Sequence, residues 1–353
     1  MAKNINSTWI TTDLILKNSQ YGEDEIICIM SGESIDLIEA VADVAKEVHV
    51  YDNSFQRITR LNRYLKAKNV KISHDVYPPA EAIYDTAIII VPKGREVARA
   101  QVMTAMQAVK QGGDLYIAGP NKGGAKSVIK DAQKLFNACQ VLDFKKSHRV
   151  ALSIKQQDYD YPIEWGAKPY EQQMRTFDTP LGKIDVVTMP GIFSWDELDA
   201  GTSLLLENVN FQDIESILDI GCGNGVIASL AAKAVDRVTM VDDNLLAVYC
   251  AQSTVEHNQL TNVEVVASNV FSKLENQTFD LIVSNPPFHK KFDVNTNVAN
   301  RLITEAKDHL NPNGRLLIVV NTFLKYESAL SEHFKYSRVV IDNGKFKVLE
   351  GVI

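Results

Sequence analysis

The chain has 353 residues, of which 45% are hydrophobic and 23% are charged, and its formal net charge at pH 7 is -7. This length favours two domains over one, and the composition is that of an ordinary globular protein. No apolar run approaches the roughly 20 residues that span a bilayer, and the polar N-terminus lacks a signal-peptide core, so we expect no membrane contact and a cytoplasmic location. The four cysteines form no CxxC pair, which argues against a metal site.

The first half of the chain alternates short β-rich runs with helical stretches, which predicts an α/β fold with a parallel sheet. Strands are predicted over residues 26–30, 48–51, 71–73, 86–91 and 115–118. Helices are predicted over 34–45 and 97–111, with Gly112 and Gly113 closing the second helix. A polar and aromatic stretch over 157–170 is interpreted as a linker, so the predicted domains are 1–160 and 161–353.

The second half repeats the first, which indicates two copies of one doubly wound α/β domain. Residues 48–52 are echoed by 238–242, 84–92 by 279–286, and 113–117 by 314–318, in the same order. The copies differ where chemistry would lie, because the first copy has a single glycine, Gly32, in place of a glycine-rich loop. The first copy is therefore predicted to be catalytically inactive.

A glycine-rich loop follows the predicted strand 217–220 and precedes a predicted helix. Its spacing is Asp-x-Gly-x-Gly-x-Gly, formed by Asp219, Gly221, Gly223 and Gly225. Glycines allow a tight turn and a close approach of a ligand to backbone amides. The dinucleotide-binding fingerprint, Gly-x-Gly-x-x-Gly or Ala, requires a third small residue at the position that Val226 occupies here. The loop therefore departs from that fingerprint. The carboxylate of Asp219 would repel a diphosphate and suits a cationic ligand instead.

Polar residues also follow the next two predicted strands. Asp242 ends one strand and could accept hydrogen bonds from both hydroxyls of a ribose, although the adjacent Asp243 competes for that role. Asn269 follows the strand predicted over 263–267 and is placed to bond an adenine edge. Because ligands in open α/β sheets bind at the carboxyl ends of strands, we expect these groups to form one cofactor site.

The apolar run 279–284 stops at two prolines and an aromatic ring. The residues that follow it are Asn285, Pro286, Pro287 and Phe288. Proline cannot continue a ladder or a helix, so the strand must end there. The Asn285 side-chain oxygen and the Pro286 carbonyl could each accept one N–H of a planar amine while Phe288 stacks on its ring. Guanine N2, adenine N6, cytosine N4 and a glutamine amide all present such an amine.

In combination, these motifs resemble those of class I S-adenosylmethionine-dependent methyltransferases. More closely, four segments resemble the two-domain ribosomal RNA guanine-N2 methyltransferases, namely 190–201, 267–272, 284–289 and 344–347. The resemblance implies two tandem Rossmann-like class I methyltransferase domains, of which the N-terminal one is degenerate. It also implies S-adenosyl-L-methionine as the cofactor and places Asp199 and Gly201 over the methionine end of that cofactor.

The implied activity is methyl transfer to the exocyclic N2 of a guanine in ribosomal RNA, with 16S rRNA preferred and 23S rRNA next. One alternative is a methyltransferase acting on adenine N6 of DNA or tRNA, or on a protein glutamine. Another is a non-catalytic RNA-binding assembly factor. The expected partner is ribosomal RNA or a ribosomal subunit, and the chain is expected to be a monomer without a metal.

Basic residues concentrate in the first copy. Residues 1–160 carry 21 Lys and Arg against 19 Asp and Glu, whereas 161–353 carry 16 against 25. Three clusters stand out, namely Lys122, Lys126, Lys130 and Lys134, then Arg57, Arg60 and Arg63, and finally Lys145, Lys146 and Arg149. Phosphate contacts would give the inactive copy a role, so we hypothesise that it docks RNA.

Overall fold

Residues 2–287 and 295–353 are described in the structure, a computed structural model. The chain forms two units, Met1–Glu171 and Gln172–Ile353. The boundary predicted from the sequence lies after residue 160. The stretch interpreted as a linker packs on the first unit, because Tyr161 is buried in its core and the Arg99 guanidinium lies 4.2 Å from the Trp165 ring centroid. Within the described ranges, no helix has the length and apolar character needed to cross a bilayer.

The described part of the first unit contains five helices and seven strands. Its helices are α1 (Ala2–Asn18), α2 (Ile35–Ala42), α3 (Phe55–Tyr64), α4 (Arg95–Ala108) and α5 (Ala125–Phe136). Its strands are β1 (Ile26–Met30), β2 (Glu47–Val50), β3 (Val70–Ile72), β4 (Tyr84–Ile90), β5 (Val109–Pro120), β6 (Gln140–Lys145) and β7 (His148–Ile154). A 3-10 turn, Asn121–Gly123, connects β5 to α5.

The second unit has the same order of core elements after an added hairpin. The hairpin strands are β8 (Gln173–Thr179) and β9 (Gly182–Thr188). The remaining strands are β10 (Ser216–Ile220), β11 (Arg237–Asp242), β12 (Val263–Ala267), β13 (Phe279–Ser284), β14 (Leu310–Asn321), β15 (Tyr336–Asp342) and β16 (Phe346–Val352). The described helices are α6 (Ala200–Asn208), α7 (Val226–Ala231), α8 (Leu245–His257), α9 (Asn295–Glu305) and α10 (Glu327–His333).

The two large sheets have equivalent strand orders, which confirms the predicted pair of Rossmann-like domains. The first sheet runs β3-β2-β1-β4-β5-β7-β6 and the second runs β12-β11-β10-β13-β14-β16-β15. In each sheet five strands are parallel, and the last two pair antiparallel. The strand order reverses between β10 and β13, so a crevice opens at their carboxyl ends, where ligands of such sheets bind.

Both faces of each sheet are covered by apolar side chains. In β1, Cys28 and Met30 join one core cluster, whereas Ile27 and Ile29 join the cluster on the opposite face. Strands that are buried on both faces read as continuous apolar runs, which explains why β1 was recognisable over its full length. The packing of helices on both sides therefore follows directly from the sequence pattern.

The predicted end of α4 is wrong. The helix ends at Ala108, and Gly113, which was expected to close it, lies inside β5. A Cβ at Gly113 would come within 2.5 Å of the Asp85 carbonyl oxygen. The glycine is therefore needed for close approach of two strands, and not as a helix cap.

An aspartate at equivalent positions of the two units stabilises the amino ends of the central strands in each sheet. Asp280 lies in an irregularity between β13 and β14, and Asp85 lies in the matching irregularity between β4 and β5. The Asp280 carboxylate accepts hydrogen bonds from the Ser216 amide at 2.9 Å and from the Asn311 side chain at 2.7 Å. Asp85 accepts from the Ile26 amide at 2.9 Å. The repeated Asp is thus a structural residue in both copies.

Removal of the Asp280 charge should destabilise the second unit in a pH-dependent way. Burial raises the pKa of Asp280, but hydrogen bonds from Asn311, Ser216 and Glu215 outweigh burial and hold it below its usual range. A lowered pKa stabilises the folded state at neutral pH, and this stabilisation is lost as the pH falls through the folded-state pKa. Asp280→Asn should lower the unfolding free energy by about 1 kcal/mol at pH 7.

Urea unfolding of the variant, followed as a function of pH, tests this prediction. The difference in unfolding free energy between the variant and wild type should narrow below about pH 4, where the Asp280 carboxyl is protonated in the unfolded chain. Asp178→Asn is the matched control, because Asp178 is an exposed carboxylate of the same unit that is 3.5 Å from Lys183. Equal stabilities of the two variants at neutral pH would contradict the assigned role.

Candidate active site

The loop between β10 and α7 has a backbone that requires glycine. Gly221 and Gly225 have φ angles of 75° and 83°, in the left-handed region that side-chain-bearing residues rarely adopt. A Cβ at Gly225 would also approach the Met240 sulfur within 3.0 Å. The loop therefore turns sharply at the carboxyl end of β10 and borders the crevice at the switch point.

Asp242, at the end of β11, is held by backbone amides of two segments. Its Oδ2 accepts from the Gly223 amide at 3.0 Å, and its Oδ1 accepts from the Asn244 amide at 2.8 Å. Burial, aided by the charge of Asp243, raises the pKa of Asp242 to about 6 in spite of these hydrogen bonds. Asp242 lines the cavity described below and Asp243 does not; the role of Asp242 as the ribose acceptor stays a prediction.

A cavity of about 480 Å³ lies at the carboxyl ends of β10, β11 and β13. Its volume is within the range of small-molecule sites. Apolar walls are formed by Phe177, Ile192, Leu198 and Ile227, among others. The polar groups that face it include Asp199, Thr202, Asn224, Asp242, Asn285 and Asn321. An apolar cavity with a few convergent polar groups is typical of a cofactor site.

The structure brings together most of the residues predicted from the sequence. Those that line the cavity are Asp199, Gly221, Gly223, Asp242, Asn285, Pro286 and Pro287. Gly225 and Gly201 support the walls without lining them. Phe288 lies outside the described residues, so its predicted stacking role stays a prediction.

Two predicted cofactor residues are not among the cavity-lining side chains. Asp219 is 1% exposed beneath the glycine loop, and neither of its carboxylate oxygens has a hydrogen-bond partner among the described residues. Burial raises the pKa of Asp219 to about 7. Asn269 follows β12 and does not line the cavity either. Direct contact of these two side chains with a cofactor stays a prediction.

Asn285 directly follows β13, and its side-chain amide has a defined orientation. Its Nδ2 donates to Asp199 Oδ2 and to Thr202 Oγ1, each at 2.9 Å. A carboxylate can only accept, so the nitrogen of the amide must face Asp199. The Asn285 Oδ1 therefore remains the group available for a hydrogen bond from a ligand.

Sequence reasoning missed several cavity residues. Asn224 lies between two loop glycines, and its Nδ2 is buried without a hydrogen-bond partner in the described part of the chain. Phe193 and Phe346 also line the cavity, and Phe193 is 65% exposed. Phe346 and Phe193 belong to segments that carried the family resemblance, which was the available signal. Thr202 ends the stretch that the family resemblance places over the methionine end of the cofactor, whereas Asn321 had no such signal.

The first copy retains the carboxylate but fills its site with an arginine. Asp52 accepts from the Gly32 and Ser54 amides, as Asp242 accepts from Gly223 and Asn244. In addition, the Arg57 guanidinium donates to Asp52 at 2.7 Å and 2.8 Å. The corresponding position in the second copy is Ala247, which lines the cavity.

This arrangement corrects the interpretation of two basic residues. Arg57 pairs with Asp52, and Arg60 donates to the carbonyl oxygens of Gly32 and Glu33 at 2.9 Å and 2.7 Å. These two guanidinium groups lie at the loop that follows β1 and at the carboxylate that follows β2. They do not form the free basic face that a spacing of three residues suggested.

Comparison with known proteins assigns the fold to a family. Residues 183–350 match the methyltransferase small domain, and residues 12–151 match the methyltransferase small domain N-terminal family. The ribosomal RNA small subunit methyltransferase C of Yersinia pseudotuberculosis serotype IB is 31% identical over 351 residues, which cover 97% of this chain and 95% of the relative. The chain belongs to the methyltransferase small domain family.

Further similarities have the same implication. The Yersinia pestis protein of the same name is also 31% identical over 97% of this chain and 95% of its own length. The structure of T. thermophilus 16S rRNA N2 G1207 methyltransferase, in complex with AdoMet and guanosine, is similar with a TM-score of 0.82. That similarity has 26% identity and covers 97% of this chain and 91% of the other. The predicted family, and its S-adenosylmethionine-dependent methyltransferase activity, are confirmed.

The residues present fit this cofactor. The buried Asn224 amide needs an acceptor, and Asp242 directs a carboxylate at the cavity. A carboxylate and an amide are suitable partners for ribose hydroxyls and for a carboxylate of the ligand, respectively. The unpartnered Asn224 Nδ2 also indicates that a polar ligand completes the site, since buried polar groups are normally paired.

Asp242→Asn should weaken S-adenosylmethionine binding about 10- to 100-fold, because a hydrogen bond to a charged group contributes about 1.5–3 kcal/mol. Asp243→Asn is the matched control and should retain wild-type affinity. Ala247→Arg, which copies the first unit's Arg57, should abolish binding while the fold persists. Titration calorimetry should give one cofactor per chain. Equal losses in Asp242→Asn and Asp243→Asn would contradict the assignment.

Proposed function

We propose that this protein transfers a methyl group from S-adenosylmethionine to the exocyclic N2 of a guanine in small-subunit ribosomal RNA. The single observation that carries the proposal is the Asn285 amide, whose nitrogen is bound by Asp199 and Thr202 and whose oxygen is left for a ligand. The names of the similar proteins, which specify small-subunit ribosomal RNA and N2 of guanine, support this choice of substrate.

The chemistry explains why such a site needs two acceptors and no strong base. The lone pair of an exocyclic amine is delocalised into its ring, so the amine is a weak nucleophile. Hydrogen bonds from its two N–H groups, to the Asn285 Oδ1 and to the Pro286 carbonyl, would draw the nitrogen towards tetrahedral geometry. Orientation of this kind can contribute roughly 7 kcal/mol or more to lowering the barrier.

The remaining cavity residues would bind the cofactor and keep water out of the cavity. S-adenosylmethionine supplies an electrophilic methyl group on a sulfonium. Asp242 would accept hydrogen bonds from its ribose, and Asn224 would donate to its polar groups. Ile192, Leu198 and Phe177 form apolar walls that keep water away from these contacts. Low water content strengthens the hydrogen bonds that orient the amine.

Identification of the methylated nucleoside tests the proposal. Tritiated-methyl transfer should be measured with isolated small subunits, large subunits, free 16S rRNA, tRNA and a glutamine-containing protein. We expect N2-methylguanosine from small-subunit RNA and only trace product, formed at a measurable residual rate, with Asn285→Ala, which should still bind the cofactor. N6-methyladenosine or methylated glutamine as the product would contradict the proposal. Cofactor binding without any transfer would favour an assembly factor.

We further propose that the first unit docks RNA through one basic surface. The surface consists of Lys122, Lys126, Lys130 and Lys134 on α5 and the preceding turn, with Lys146 and Arg149 on the β6–β7 hairpin. The four lysines of the α5 segment are exposed, and the Arg149 guanidinium bonds to Asn121 at 2.7 Å, which joins the hairpin to that segment.

Lys145, a member of the third predicted basic cluster, is paired within the first unit. Lys145 pairs with Asp13 at 2.9 Å and lies 5.2 Å from the centroid of the Trp9 ring.

The aromatic side chain of Phe144 is 75% exposed, and it lies opposite Arg149 in the β6–β7 ladder. An exposed ring beside cations is a combination that binds single-stranded nucleic acid by stacking and by phosphate contacts.

Charge reversal of the basic surface should weaken RNA binding. The double variant Lys126→Glu, Lys130→Glu should bind ribosomal RNA less tightly and reduce the slope of log affinity against log salt by about 1 for each phosphate that is no longer neutralised. The double variant Lys66→Glu, Lys68→Glu, which alters two exposed lysines next to β3 on the opposite edge of the sheet, is the control. Unchanged affinity and slope in the first variant would refute the docking surface.

A further inference from the structure

The amide of Asn285 has both of its hydrogens committed within the protein. One is donated to Asp199 Oδ2 and the other to Thr202 Oγ1, each over 2.9 Å. The two acceptors lie at the start of α6, far away in the chain, at separations of 86 and 83 positions. This contact therefore connects the end of β13 with an element that has no sequence proximity to it.

The position of Asp199 is itself set by two further contacts. Its Oδ2 accepts from the Thr202 amide at 2.9 Å and thereby caps α6. Gly201 packs directly against it, since a Cβ at Gly201 would lie 2.9 Å from the same oxygen. The absence of a side chain at Gly201 leaves room for the carboxylate to lie between the helix and Asn285.

We infer that Asp199 is a positioning residue that determines which end of the Asn285 amide faces the substrate; this inference rests on the proposed function. The two ends of an amide have nearly the same shape but opposite hydrogen-bonding character. If the amide were flipped, the Asn285 oxygen would face a carboxylate oxygen, which cannot donate. The substrate amine would then meet an N–H donor where it requires an acceptor.

Thr202 cannot make this selection. A hydroxyl donates or accepts with equal ease, so Thr202 would bond either end of the Asn285 amide. Asp199 can bond only the nitrogen end. The orientation of Asn285 therefore depends on Asp199, and Thr202 contributes a second bond in whichever orientation Asp199 selects.

Variants at residue 199 separate this role from helix capping and from cofactor binding. Asp199→Ser keeps a good N-cap but is too short to reach Asn285. Asp199→Asn keeps an oxygen that can both cap α6 and accept from Asn285. We expect kcat to fall up to about 100-fold in Asp199→Ser, with the Kd for S-adenosylmethionine unchanged, and to recover most of its value in Asp199→Asn.

A double-variant cycle tests whether Asp199 acts through Asn285. In an Asn285→Ala background, Asp199→Ser should cause no further loss of kcat, because the group that it positions is absent. Losses that multiply would overturn the inference. A rise in cofactor Kd that matches the fall in activity would also overturn it and would assign Asp199 to direct cofactor contact.

A substrate-independent measurement distinguishes this inference from the proposed function. In protein labelled with 15N-asparagine, the Asn285 side-chain NH2 signals are identified by their loss in Asn285→Ala. These hydrogens should exchange slowly with water in wild type and Asp199→Asn and rapidly in Asp199→Ser. Equal exchange in wild type and Asp199→Ser would overturn the inference. Slow exchange in a wild-type protein that methylates no RNA would uphold the positioning and refute the proposed function.

Discussion

The proposed catalytic centre is organised around one carboxylate oxygen, Oδ2 of Asp199. This atom accepts hydrogen bonds from the Thr202 amide and from the Asn285 side chain, so it holds the start of α6 and the end of β13 together. The strand brings the asparagine to the carboxyl edge of the sheet, and the two prolines that follow end the ladder there. The carboxylate then decides which atom of the asparagine is presented to a ligand.

The internal repeat places equivalent carboxylates in two different surroundings. Asp52 and Asp242 are held by equivalent backbone amides in sheets of the same strand order. In one unit Arg57 binds the carboxylate, and in the other Ala247 leaves it open to a cavity. Asp85 and Asp280, by contrast, stabilise both sheets. The two units thus share a strand order, although their equivalent carboxylates have different neighbours.

Much of the fold and part of the site could be predicted before the structure was known. Strand β1 was predicted over its full length because residues buried on both faces form a continuous apolar run. The position of Gly113 was predicted wrongly, since a glycine that permits close strand approach resembles a helix terminator in sequence. The predicted Asp242 and Asn285 line the cavity, whereas Asp219 lies beneath its loop.

The repeat, the α/β class, the glycine loop and the strand that stops before Asn285 can all be read from the amino-acid sequence, because these features depend on local spacing and on apolar periodicity. The tertiary structure alone decided the partners of each polar group. It placed Asp199 against Asn285, and it placed the Arg57 guanidinium against Asp52. Hydrogen bonds are directional and short-ranged, so pairs formed across elements depend on how those elements pack, and no local pattern in the chain records them.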